Sequence, residues 1–124
     1  MPDPIPTADL PAGRGLDRLV AELVMGWRGE TLGGRTWWRS PDGGTRPAAD
    51  WQPSTRIADA WEVVERLRAI DFYGTTIEAH ADDRWIVRVY SNDIEKAASA
   101  DTAPLAICRA ATAAASRETT NPDR

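Results

Sequence analysis

Arginine and tryptophan crowd one part of this sequence. Four of its six tryptophans, Trp27, Trp37, Trp38 and Trp51, fall between positions 27 and 51, with Arg28, Arg35, Arg39 and Arg46 interleaved. Indole and guanidinium groups are enriched at the anchor points of protein interfaces. The same pair can stack on a flat ring and grip a phosphate. Adjacent residues of a strand point to opposite faces, so Trp37 and Trp38 cannot share one buried layer. One of them is expected outside, or against a partner. The candidate binding residues are therefore Trp27, Arg35, Trp37, Trp38, Arg39 and Trp51. The competing reading is that these rings fill the core beneath a loop-rich segment with few aliphatic residues.

Groups suited to catalysis are sparse. His80 with Asp82 and Asp83 has the residue types of a metal site. Catalytic zinc, however, takes three protein ligands and a supporting shell, and two carboxylates beside a hairpin turn serve solubility and turn formation. Cys108 and His80 make the one available thiol–imidazole pair. Cys108 stands between Ile107 and Arg109 on an apolar helix pattern, where a free cysteine acts as a small hydrophobe. Gly33-Gly34 and Gly43-Gly44 match neither the GxGxxG nor the GxxxxGK[ST] phosphate loop, and read as turns. No catalytic, metal or cofactor residue is assigned, and the chain is expected not to be an enzyme.

The elements that position these residues follow from periodicity. Residues 1–13 contain four prolines and read as a flexible lead-in. Leu16, Leu19, Val20, Leu23 and Val24 form one helical stripe, opposed by a polar face of Arg14, Asp17, Arg18 and Glu22, and ended by Gly26. Residues 36–39 predict a short strand, 40–44 a tight turn, and 45–48 a weak return strand that Pro47 confines to an edge. Ser54 is placed to cap a second helix over about 55–69, with Ile57, Ala60, Trp61, Val64 and Leu67 as its apolar stripe. A hairpin follows, from Phe72 to His80 and from Arg84 to Tyr90. The return strand is apolar on both faces, which predicts a central strand covered on each side. After a polar connection over 91–100, with a short edge strand as its alternative reading, Asp101 or Thr102 caps a third, alanine-rich helix containing Pro104. Arg109 on that helix is expected to pair with Glu62 or Glu65, or to reach solvent. Residues 14–115 form the single domain, and 116–124 a flexible tail.

Composition sets the class. A chain of 124 residues is one domain, and its lone cysteine excludes an internal disulfide. A net charge of −4 disfavours nucleic acid as a partner. The start, MPDPIPTADLPAG, lacks the basic and apolar regions of a secretory leader, and no apolar run reaches the length of a membrane span. A cytoplasmic protein is expected.

Three segments, LDRLVAELVMGW (16–27), STRIADAWEVVERL (54–67) and DTAPLAICRAA (101–111), resemble in order and spacing the phage ABA sandwich domain family. The resemblance implies a phage or prophage origin and an α+β fold: a three-layer α/β/α sandwich, with a small antiparallel sheet carrying helices on both faces. It implies no reaction. With the Trp/Arg segment, it leads to the expectation of a non-enzymatic accessory protein that binds a protein partner or forms a homo-oligomer. The alternative is an oligomeric small-ligand binder that traps an anionic nucleotide signal.

Overall fold

The computed structural model describes residues 10–70, 74–92 and 95–116. Most of the expected lead-in and tail, and the start of the strand expected at Phe72, lie outside the described residues.

The first helix, α1 (14–25), is α-wound over Arg14–Leu19 and π-wound over Val20–Met25. The wider π turn moves the buried face onto Leu16, Val20, Ala21, Val24 and Met25, and leaves Leu23 exposed. Gly26 then takes the left-handed conformation (φ 73°, ψ 23°), and the Trp27 N–H closes back on the Ala21 carbonyl at 2.9 Å.

Two three-stranded antiparallel sheets follow, where the sequence predicted one. The first contains β1 (Arg28–Leu32), β2 (Arg35–Arg39) and β3 (Thr45–Pro47) in that order. β1 was not anticipated, because RGETL carries no apolar alternation. Its signal is Gly33-Gly34, both at positive φ (61° and 79°), which makes the tight two-residue hairpin connection to β2. The second sheet contains β4 (Gly74–His80), β5 (Arg84–Tyr90) and β6 (Glu95–Ala100), with β5 central as predicted.

The second helix, α2 (Ile57–Ile70), starts two residues later than predicted. Its buried stripe is Ala60, Val63, Val64 and Leu67, rotated so that Trp61 is 51% exposed and Ile57 53%. This stripe packs on the alanine-rich third helix, α3 (Ala103–Ala115), and the indole lies outside it. Thr102 caps α3, accepting the Leu105 N–H at 3.4 Å, with Pro104 in the first turn. Ala106, Ala110, Ala111 and Ala114 of α3 are fully buried, which lets it lie close to the second sheet on one side and to α1 and α2 on the other.

The α+β class, the three helices and the antiparallel pairing are as expected. The helices nevertheless reach the second sheet from one face only. Val87, Val89, Ala98 and Ala100 are buried there, whereas Thr76, Glu78, His80, Ala97 and Ser99 on the other face are exposed. Ile86 and Tyr90, which suggested a second covered face, are half-buried by cross-strand neighbours. The face is polar at its centre, where Arg88 contacts Glu78 at 2.5 Å and Glu95 at 3.8 Å. Arg109 also departs from expectation. Its Nε donates to the Leu10 carbonyl at 2.7 Å and an Nη to the Ser99 carbonyl at 2.8 Å, because position 109 faces the edge strand β6 and the lead-in instead of α2. Among the described residues no helix is long and apolar enough to cross a membrane.

Candidate binding site

The Trp/Arg segment is the first sheet and its flanks. Alternation along β2 sends Thr36 and Trp38 to one face and Arg35, Trp37 and Arg39 to the other. Trp38 lies opposite Gly29 of β1, and a Cβ at position 29 would stand 3.2 Å from its ring. The glycine is what lets the indole lie flat against the strand, 6% exposed and within the core. Trp51 is 1% exposed and packs on Trp27 with ring centroids 4.6 Å apart and planes tilted by 56°. Arg46, on the Trp38 face of β3, lies 5.2 Å over the Trp27 ring and reaches Glu62 of α2 at 3.0 Å. This clasp fastens the first sheet to the helices.

The six candidate residues therefore divide. Trp38 and Trp51 are core, and Trp27 is half-buried between Trp51 and Arg46. Arg39 is held by Glu30 through two hydrogen bonds of 2.6 and 3.0 Å. That pairing lowers the Glu30 carboxyl below its usual range and raises the Arg39 guanidinium. Arg35 and Trp37 stay together on the outer face, the guanidinium 5.5 Å over the ring, beside an exposed Leu32.

On the other side of the sheet a cleft of about 700 Å³ opens between the first sheet and the polar residues of α1. Its walls are Gly29, Thr31 and Thr36 of the sheet and Arg14, Arg18 and Glu22 of the helix, with Arg35 also lining it, and Trp38, Trp51 and Asp17 reach it from the core. Arg18 gives its Nε to Glu22 at 3.2 Å, whereas Arg14 has no carboxylate partner among the described residues. Asp17, expected on the solvent face, is buried. Its Oδ1 accepts the Ser54 N–H at 2.8 Å, and the Ser54 hydroxyl accepts the Gly13 N–H at 3.0 Å. Burial pushes the Asp17 carboxyl above its usual range, and the hydrogen bonds from Ser54 oppose that shift. No periodicity separates Asp17 from its polar neighbours, so only the fold reveals it.

The catalytic candidates are dispersed. Cys108 is buried, and desolvation, with the Asp17 charge adding, pushes its thiol far above the ordinary range. His80 is exposed at the end of β4, its Nε2 3.3 Å from Glu78. Among the described residues no group of three His, Cys, Asp or Glu side chains converges as metal ligands would.

The pattern that defines the phage ABA sandwich domain family matches residues 18–112. The chain belongs to that family. A phage protein from Bacillus cereus ATCC 14579, known from a 2.0 Å crystal structure, superimposes with a TM-score of 0.62 at 23% identity. The match covers 85% of this chain and 93% of that one, a likeness of fold. No curated protein matches the chain. The matched span contains both sheets, the Trp/Arg segment and, of the cleft wall on α1, Arg18 and Glu22, whereas Arg14 and Asp17 precede it.

Proposed function

We propose that this member of the phage ABA sandwich domain family is a non-enzymatic accessory protein, of phage or prophage origin, that acts by binding protein, a second copy of itself included. The carrying observation is the outer face of the first sheet. There Trp37 lies under Arg35, opposite Pro47 and beside Leu32, which is 57% exposed. Aromatic and arginine side chains at such a surface bind partners out of proportion to their area. The two groups best suited to covalent or acid–base catalysis favour the same reading, since Cys108 is buried with a raised thiol and His80 projects from an exposed hairpin.

The test pairs Leu32→Ser and Trp37→Ala with light scattering after size-exclusion and with co-purification from infected host cells. Association that disappears in both variants while their thermal midpoints hold supports the reading. A strict monomer that co-purifies equally well with and without Trp37 removes it.

A further inference from the structure

The cleft between α1 and the first sheet has properties the protein-binding face does not explain. Its volume of about 700 Å³ lies within the roughly 300–1,000 Å³ typical of small-ligand sites. Two arginines of one helix, Arg14 and Arg18, stand on the same wall. Among the described residues Glu22 is the exposed carboxylate beside them and is already engaged by the Arg18 Nε, so against those residues the terminal nitrogens of Arg18 and the whole Arg14 guanidinium remain as donors. Facing them, Thr31 and Thr36 are exposed on β1 and β2, and their hydroxyls can donate or accept.

A second observation concerns the inner end of the cleft. Trp51 lines the cleft, and its Nε1–H is buried with no hydrogen-bond partner among the described residues. An unpaired buried donor is costly, and structures rarely keep one without cause. Asp17, also buried there, is held by hydrogen bonds from Ser54. The cleft thus has cationic donors on its helix wall and hydroxyls on its sheet wall.

We infer that this cleft binds a small phosphate-bearing ligand of nucleotide size. The phosphate sits against Arg14 and Arg18, where guanidinium groups form paired, charge-assisted hydrogen bonds. The polar ring of the ligand faces inward, where its edge meets the Thr31 and Thr36 hydroxyls. Trp38 and Trp51 are too deeply buried to stack on the ring, so recognition is by hydrogen bonding at its edge. This inference is independent of protein binding by the outer face, and either can fail alone.

Calorimetric titration of the full chain with adenosine 5′-monophosphate, guanosine 5′-monophosphate and inorganic pyrophosphate tests it. At least one nucleotide should bind saturably and more tightly than pyrophosphate. Arg14→Gln and Arg18→Gln should each weaken it about tenfold, the scale of one charged hydrogen bond. Arg68→Gln, in the exposed pair with Glu65 on α2, should bind as the wild type does. No saturable binding of any probe at millimolar concentration overturns the inference. So does an Arg14→Gln variant with full affinity, or an equal loss in the Arg68→Gln control. Pyrophosphate binding as tightly as both nucleotides overturns the inward placement of the ring. Thermal midpoints of the three variants, all at exposed positions, establish that each is folded.

Discussion

Asp17 and Ser54 meet across 37 residues of chain, the Ser54 N–H on the Asp17 carboxylate at 2.8 Å, and both side chains are buried. This contact joins the first turn of α1 to the turn that leads into α2. Asp17→Ala leaves the Ser54 N–H without an acceptor, and a loss of about 1–3 kcal/mol in denaturant unfolding is expected. Asp17→Asn retains an acceptor and should lose less.

The same carboxyl makes stability depend on pH. Its folded value is raised, so the folded state holds this proton more tightly than the unfolded chain does. The favourable contribution is full below the ordinary carboxylate range and is lost as pH rises through the raised folded value. Thermal midpoints of wild type and Asp17→Asn, measured across that window, should therefore diverge, with the variant gaining relative to wild type as pH rises. Parallel curves would remove the assignment.

Gly26 closes α1 at φ 73°, a conformation that costs a residue with a Cβ about 1–2 kcal/mol. Gly26→Ala should lower stability by that amount. The nearest side-chain atom to an added Cβ is an Arg66 nitrogen at 3.6 Å, so the loss is conformational and not a clash. Gly15→Ala, with open space around it, is the control and should be neutral or better.

The Arg46 clasp predicts a coupling. Arg46 and Glu62 are each about two-fifths exposed, so solvent screening limits the pair to about 0.5 kcal/mol in a double-mutant cycle. Arg46→Ala should nevertheless cost more than Glu62→Ala, because it also uncovers Trp27. A fluorescence shift in Arg46→Ala and none in Glu62→Ala would establish that contribution.

Cys108 is the sole thiol and is buried. Its reaction with a disulfide reagent should be slow in the native protein and should follow opening of the fold. The labelling rate should rise in Asp17→Ala, its logarithm increasing in proportion to the lost stability. Rapid labelling of wild type would contradict the packing of α3.

The sequence made the helices legible and left their rotations open. Gly26, Thr102 and Pro104 marked ends that the structure keeps. The α1 stripe assumed a regular 3.6-residue turn, and the π winding of Val20–Met25 turned Leu23 outward. In α2, Trp61 counted as core on apolarity alone. The helix is rotated so that Val63 takes the buried place and the indole faces outward. Ser54 had the chemistry of a helix cap, yet its groups serve Gly13 and Asp17, partners too distant in sequence to be inferred from local pattern. In the candidate site, the opposite facing of Trp37 and Trp38 followed from strand geometry. The burial of Trp51, the engagement of Arg39 by Glu30 and the cleft itself depend on how β1 folds onto β2, and β1 carried no pattern of its own.

Every strand in the fold pairs only with the strand next to it along the chain. Each sheet is closed by short loops before any distant segment must arrive, and short loops cost little entropy to form. A rapid folding reaction is the consequence, with the two meanders assembling separately and the helix seams locking last. Native-state hydrogen exchange should then resolve two cooperative units. The first sheet, clasped mainly through Arg46 and its tryptophans, should open at lower free energy than the β4–β6 meander under α3.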